Sequence, residues 1–229
     1  MPTAVTLAEL AKMFDHSLLQ PNLTDDALVA GLTLARDYNV ASVCIKPYAV
    51  RLAAKLLAGS TVQASTTIGF PHGGHVTKIK VGESEIALND GATELDMVVN
   101  IGKVLSGEWG FVASDIAAVV AVAHAAGAKV KVIFENSYLQ DAHKVELCKI
   151  CGDLRADWVK TSTGYGESGA TTEDLVLMRQ NSPAHVQVKA AGGVRTYERL
   201  LEVRAIGVTR VGATATKVIL DEARAKMAS

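Results

Sequence analysis

Eight short apolar or β-branched runs, each followed by a longer stretch with helical spacing, recur along the chain, and no other feature limits the possible folds so strongly. The runs are "MFDHS" (Met13 to Ser17), "ASVCIK" (Ala41 to Lys46), "QASTTIGF" (Gln63 to Phe70), "ELDMVVN" (Glu94 to Asn100), "KVKVIFE" (Lys129 to Glu135), "DWVKTST" (Asp157 to Thr163), "HVQVKAAGG" (His185 to Gly193) and "RVGAT" (Arg210 to Thr214). Between them lie amphipathic stretches such as "TDDALVAGLTLARDY", "AVRLAAKLLAG", "ASDIAAVVAVAHAAG" and "TTEDLVLMRQNS". Thr24 with Asp25 and Asp26 can cap and charge a helix start, and Gly59, Gly91 and Gly127 supply stops that tolerate positive φ. Strands alternating with helices build parallel β-α-β units, and eight of them predict a single (β/α)8 barrel over residues 1–229 with an additional N-terminal helix, "LAELAKM". The rival, an open doubly wound sheet, lacks its G-x-G-x-x-G signature after the first strand, and no Pro/Ser-rich linker divides the chain.

Charge and composition narrow the partners. A formal charge of −1 with no basic run gives no long-range attraction for nucleic acid or an anionic membrane surface, so small molecules are the default partners. "MPTAVTLAELAKMF" carries no basic leader followed by a sustained apolar stretch, and Glu9 interrupts it. The most lipid-like segment, "IAAVVAVAHAAG", contains His124 and falls short of the roughly 20 apolar residues a bilayer span requires. A soluble, cytoplasmic protein is expected. Three cysteines in such a setting argue for reduced thiols. "CKIC", Cys148 to Cys151, lies inside an apparent helix, away from a strand-to-helix turn, and reads as helix-face packing.

In a barrel of this kind the carboxyl ends of the strands carry the active site. Polar residues late in apolar strands are Asp15, Cys44, Lys46, Asp96, Asn100, Lys131, Glu135, Lys160, Thr161, Thr163 and Lys189. Lys160, in "WVKTSTG", stands where a buried strand should carry a hydrocarbon, and an unpaired buried ammonium costs several kcal/mol unless it is paired or loses its proton. Lys189, in "QVKAAGG", occupies the comparable point of the neighbouring strand. If the two nitrogens lie about 6 Å apart, their repulsion at an effective dielectric of about 20 is roughly 3 kcal/mol, or about 2 pKa units. Desolvation acts in the same direction, and a neutral amine is the nucleophile that forms a Schiff base with a carbonyl. Lys189 would then activate Lys160. Asp96, two strands earlier, would face a substrate from the other side of the barrel mouth and shuttle protons. Its alternative role, shared with Glu135, is to neutralise a lysine.

Two glycine-containing loops, "AAGGVRT" after the seventh run and "VGATATK" after the eighth, each precede a helical segment. Glycine lets backbone N–H groups approach an anion, and a helix N-terminus adds a favourable dipole. Gly192, Gly193, Gly212 and Arg195 are therefore candidates to hold a phosphate, with Gly164 and Thr214 close by. Metal chemistry is not expected: His72 and His75 form H-x-x-H on a loop without a third histidine near in sequence. Cys44 reads as a packed thiol.

The blocks "FDHSLLQP", "VCIKPY", "GFPHGG", "ELDMVVNIG", "KVIFE", "VKTSTGYG", "VKAAGGVRT" and "RVGAT", in this order and spread over nearly the whole chain, resemble those of the deoxyribose-phosphate aldolase family, class I aldolases with a (β/α)8 barrel and no metal or other cofactor. The resemblance implies Lys160 as the Schiff-base residue, Lys189 as the group that lowers its pKa and Asp96 as the acid/base partner. It also implies that Asp15 and Ser17 stand near substrate hydroxyls and Lys131 in the polar network, with Thr161 and Thr163 completing the substrate-binding set. Aldehydes and sugar phosphates are the implied ligands, and a homodimer the implied assembly. The chain departs from the family pattern after Gly212, where many members carry serines and it has Ala213, Thr214 and Ala215, at Tyr165, where some carry lysine, and in a C-terminus, "DEARAKMAS", without tyrosine. The expected activity is reversible cleavage of 2-deoxy-D-ribose 5-phosphate. Its alternative is a non-catalytic sugar-phosphate-binding barrel, in which Lys160 and Lys189 merely neutralise an anion.

Overall fold

The computed structural model describes residues 5–228. The expectation that the N-terminal segment carries no export signal rests partly on residues 1–4, and that for the C-terminus partly on Ser229, and these lie outside the described residues. Eight parallel strands, β1 (Phe14–Leu18), β2 (Ser42–Ile45), β3 (Gln63–Ile68), β4 (Glu94–Val98), β5 (Lys129–Ile133), β6 (Trp158–Lys160), β7 (Gln187–Ala191) and β8 (Val208–Ala213), close into a barrel in sequence order, with β8 pairing back onto β1. A helix, α1 (Leu7–Ala11), precedes β1, as expected. It opens on a Thr6–Glu9 capping box that satisfies two otherwise unpaired N–H groups. The surrounding helices are α2 (Asp25–Asp37), α3 (Val50–Leu57), α4 (Thr77–Asn89), α5 (Ile101–Leu105), α6 (Trp109–Ala125), α7 (Asp141–Asp153), α8 (Thr172–Asn181), α9 (Tyr197–Ile206) and α10 (Thr216–Met227).

Thr24 caps α2 by accepting from the Ala27 amide, and Gly59, Gly91 and Gly127 all adopt positive φ where their helices stop. The strand ends differ from the sequence reading in instructive ways. β6 stops at Lys160 instead of Thr163, because the Thr161 hydroxyl turns to the Ala191 backbone and the Thr163 amide to the Glu135 carboxylate. β8 begins two residues before Arg210, directly after Gly207 ends α9 in the left-handed region. The short α5 after β4 was not anticipated; the Asn100 side chain, taken from the sequence as a strand-end polar group, caps it by accepting from the Lys103 amide.

The apolar core lies between the strands and the helix ring. Outward-facing strand residues such as Val43, Leu95, Met97, Val130, Val132, Val159 and Val188 are fully buried there with Leu28, Ile116, Leu147, Leu175 and Ile219 of the helices. The alternation of a strand sends every second residue inward, and in this barrel that second set is largely polar: Asp15, Ser65, Glu94, Asp96, Lys131, Lys160, Lys189 and Arg210. Most (β/α)8 interiors are filled by Val, Ile and Leu. Cys148 and Cys151 are buried in α7 and, with Cys44, are unpaired thiols. No helix among the described residues is long and apolar enough to cross a membrane.

Candidate active site

Register sets the centre of the site. Lys160 on β6 lies opposite Lys189 on β7, Asp96 on β4 opposite Lys131 on β5, and Lys189 opposite Arg210 on β8, where a bulge at Val188/Lys189 adjusts the pairing. All five side chains enter the barrel. Asp96 Oδ2 accepts from both Lys160 Nζ and Lys189 Nζ, each at 2.7 Å. The two nitrogens are therefore closer to one another than the separation of about 6 Å considered from the sequence. Asp96 Oδ1 accepts from Lys131 Nζ at 2.8 Å, and Lys131 also reaches Glu94 at 2.6 Å. Asp15 pairs with Lys189 and Arg210 at 2.5 Å each, and Arg210 continues to Glu94 at 2.9 Å. Trp158 lies against the network, its ring centroid 5.0 Å from Arg210 Cζ and 5.7 Å from Lys131 Nζ, so that the cations meet a π face as well as carboxylates.

Charge bookkeeping picks out one group. Three carboxylates, Asp15, Glu94 and Asp96, face four cationic side chains, Lys131, Lys160, Lys189 and Arg210. A buried network with one cation in excess is relieved when that group gives up its proton. For Lys131, burial pushes the pKa down, but the carboxylates of Asp96, Glu94 and Asp15 outweigh it and the ammonium is held above its ordinary range. Lys189 behaves alike: burial opposes, Asp15 and Asp96 prevail, and the shift is upward. Arg210 is raised against its burial by Asp15 and Glu94. Lys160 alone of the four is lowered, first by burial and then by the neighbouring Lys189, against the pull of Asp96. Asp96 is held well below the usual carboxylate range; burial would raise it, but Lys131, Lys160 and Lys189 outweigh that.

Above this network opens a cavity of about 850 Å³. Lys160 and Lys189 lie at its base beside Asp15, Ser17 and Cys44, and its walls include Leu19 to Thr24, Thr163 to Tyr165, Ala191 to Arg195 and Gly212 to Ala215. The whole candidate phosphate set, Gly164, Gly192, Gly193, Arg195, Gly212 and Thr214, lines this one space. Helix α10 starts at its wall with no side chain capping the first turn, leaving N–H groups for an anion. Gly192 and Gly193 both have positive φ, and a Cβ on Gly192 would meet the Gly169 backbone at 2.9 Å, so the turn requires glycine.

Four residues sit differently from the sequence reading. Asp96 does not face the substrate from across the mouth; it lies fully buried, bonded to both lysines, because β4 directs it to the barrel axis below them. Asp15 borders the cavity but is fully buried, its carboxylate committed to Lys189 and Arg210. Lys131 and Thr161 do not line the cavity: the first is enclosed by carboxylates, and the second ties the end of β6 to Ala191 on β7. Thr163 and Ser17 do line it, Thr163 with its hydroxyl donated to Glu135. Cys44 is buried at the cavity base, its Sγ 3.9 Å from Asp96 Oδ2. His72 and His75 are both exposed on the loop after β3.

Sequence reasoning missed Glu94 and Arg210, which close the network from below. The signal was available. Each stands two residues before a chosen inward position, Asp96 and Gly212, and strand alternation puts residues two apart on one face.

A closed parallel barrel with paired carboxylates and lysines at its axis, a cavity over one lysine of lowered pKa and glycine-rich turns at the wall defines a carbonyl-processing enzyme of the lysine-dependent class. Comparison with known proteins agrees. Residues 10–215 match the model of the DeoC/LacD family aldolases. The chain is 59% identical over 219 residues to the deoxyribose-phosphate aldolase of Rhodopirellula baltica, covering 96% of this chain and 91% of that one. It is 44% identical over 218 residues to the deoxyribose-phosphate aldolase of Thermococcus gammatolerans, covering 94% and 97%. The tetrameric deoxyribose phosphate aldolase of Aeropyrum pernix superposes with a TM-score of 0.89 at 27% identity, over 96% of this chain and 93% of that one. The chain belongs to the DeoC/LacD family of aldolases, and it is a lyase of the class I aldolase kind.

The electrostatics give a first expected result. A nucleophilic Lys160 would react as its neutral amine, so on that role kcat/KM should rise with pH through the Lys160 pKa. Lys189→Met removes the cation that depresses that pKa and leaves Asp96 to favour the Lys160 ammonium, so the rising limb should move to higher pH. Activity lost near neutrality should return in part on going alkaline. A pH profile that merely drops in height, with its limb unmoved, would remove Lys189 from the activating role.

Proposed function

We propose that this enzyme cleaves 2-deoxy-D-ribose 5-phosphate reversibly to acetaldehyde and D-glyceraldehyde 3-phosphate, with Lys160 as the Schiff-base residue. The observation that carries the reading is that Lys160, alone among the four cationic groups of the buried network, has a lowered pKa and stands at the base of the cavity. The relatives named for this substrate support the choice of sugar.

The neutral Nζ of Lys160 attacks the aldehyde carbon of the open-chain sugar, and the resulting carbinolamine loses water to give a protonated imine. That imine is the electron sink. The C3 hydroxyl gives up its proton, the C2–C3 bond breaks, and glyceraldehyde 3-phosphate departs, leaving an enamine on Lys160. Protonation at C2 and hydrolysis then release acetaldehyde and restore the amine. Asp96 is the acid/base group, acting through water. As a deeply stabilised anion it is a weak base at rest, but Lys160 is one of the cations that hold its pKa down, so Asp96 is more basic while Lys160 is a neutral amine or carbinolamine, which serves the proton transfers of carbinolamine formation. The Gly192–Gly193 turn, Gly212, Thr214, Gly164 and Arg195 hold the phosphate, while Ser17 and Thr163 meet sugar hydroxyls; Asp15, Lys131 and Thr161 act from below by fixing Lys189, Asp96 and the β6–β7 edge. The same proposal places the enzyme in the cytoplasm, supported by its unpaired thiols, and in an assembly of more than one copy.

Acetaldehyde and sodium borohydride supplied together test the mechanism. The expected product is an ethyl group on Lys160, located by peptide mass spectrometry. An adduct on Lys189 would exchange the two roles, and a folded protein with no adduct would sink the Schiff-base reading.

A further inference from the structure

The cavity over Lys160 occupies only part of the barrel mouth. Its walls come from β1, β2, β6, β7 and β8, from the loops after β1, β6, β7 and β8 and from Ala27 of α2, and no described residue of β3, β4, β5 or their loops lines it. Tyr165 stands at the boundary of the lined part. Its hydroxyl donates to the Leu19 carbonyl after β1 at 2.8 Å, and its ring meets Phe70 after β3 edge-on, with centroids 5.6 Å apart at 86°. On a ring of eight strands β6 is three places from β1 and three from β3, so a side chain that starts after β6 and touches both must cross above the mouth.

The loop is built to send it there. Glu135, buried and itself in the left-handed region at φ 58, fixes Thr163 by accepting from its amide at 3.2 Å and from its hydroxyl. Gly164 then reverses the chain at φ 89, and the Tyr165 amide donates back to Thr163 Oγ1 at 3.0 Å. Gly166 packs so closely that a Cβ there would lie 2.7 Å from Ser137 Oγ and 3.0 Å from Glu135 Oε1. The root of Tyr165 is thus held by buried bonds, whereas its far end rests on one hydrogen bond and one ring contact and is 48% exposed.

We propose that Tyr165 is the specificity-determining residue for the acceptor aldehyde: a partition confining acceptors to the half of the mouth rimmed by Gly192, Gly193 and Gly212 and closing off the half above β3, β4 and β5. This rests on the aldolase reading. Short acceptors that end in an anion fit the open half, with the aldehyde toward Lys160 and the anion toward the glycine turns. Removing the Tyr165 ring would open the cavity toward Phe70 and the loop after β3 and give longer or branched apolar aldehydes added room.

The test compares the full-length enzyme with Tyr165→Ala, Tyr165→Phe and Phe70→Ala, using acetaldehyde as donor and either D-glyceraldehyde 3-phosphate or hexanal as acceptor. Rates are normalised to borohydride trapping of acetaldehyde on Lys160 in the same preparation, which also reports a folded site. Tyr165→Ala is expected to raise the hexanal to glyceraldehyde-phosphate ratio of kcat/KM by about tenfold, chiefly through a lower KM for hexanal. Tyr165→Phe keeps the ring and should shift the ratio by no more than about threefold, with Phe70→Ala between the two. A ratio in Tyr165→Ala and Phe70→Ala within about twofold of the parent overturns the partition. Failure of the parent enzyme to trap acetaldehyde on Lys160 would instead overturn the aldolase reading on which it rests.

Discussion

Lys160→Met is expected to abolish borohydride trapping and to lower kcat/KM by about 10⁴-fold or more, because no other amine reaches the aldehyde with a free electron pair. The variant should nevertheless fold as well as the parent or better. The parent network sets Lys131, Lys160, Lys189 and Arg210 against Asp15, Glu94 and Asp96; methionine removes the excess cation, keeps most of the volume, and leaves Asp96 with Lys131 and Lys189. Thermal melting near pH 7 measures this directly. Lys160→Arg should be inactive too, but less stable than the methionine variant, since guanidinium restores a charge that cannot be discharged. Turnover that survives in Lys160→Met would remove this residue from the chemistry. A clear fall in its melting temperature would refute the charge argument independently of the chemistry.

Asp96→Asn is expected to damage both activity and stability. The carboxylate receives hydrogen bonds from Lys131, Lys160 and Lys189 within 2.8 Å, and an amide in its place leaves three buried amines without their shared anion. Removing one partner of a buried, hydrogen-bonded ion network costs about 3–5 kcal/mol, readable as a lower urea midpoint. The sign of the pH effect follows from the same contacts. Asp96 raises the Lys160 pKa against burial and Lys189; without it that pKa falls, so the rising limb of the pH–rate profile should move to lower pH while its plateau drops. Loss of proton transfer accounts for the drop, which general acid–base catalysis puts at about 10²–10⁴-fold. The two changes make a signature that simple unfolding does not produce: acetaldehyde should still be trapped on Lys160, at lower pH than in the parent, while turnover is lost. An unmoved limb would show that Asp96 does not set the Lys160 proton equilibrium.

Asp96 also marks the boundary between sequence and structure. Its place in "ELDMVVN" identified it as a buried carboxylate on a strand, and the alternation of the chain placed that strand in the barrel. Its position across from Lys160 in the order of strands suggested a separate wall of the mouth. In a closed eight-stranded barrel the inward side chains of β4, β6 and β7 converge near one axis, so a residue two strands away can touch both lysines. The same convergence drew Glu94 and Arg210, far apart in sequence, into one ion pair, and made Asp15, which borders the cavity, a partner of Lys189 as well. Tyr165 is the extreme case: as a residue it reads only as the position after "TSTG", and its role as a wall depends on contacts with Leu19 and Phe70, which belong to other loops.

The sequence by itself determined what is local or periodic: eight strand-helix repeats, the helix stops at Gly59, Gly91 and Gly127, the two lysines at matching points of β6 and β7, and the glycine turns that all reach one cavity. These follow from backbone geometry and burial, which act within a few residues. Only the tertiary structure decided which lysine carries the excess charge, how Asp96 is shared and which half of the mouth is open. Those outcomes depend on distances between side chains from different strands, and electrostatic energy in a desolvated interior changes steeply over a few ångströms that no sequence spacing specifies.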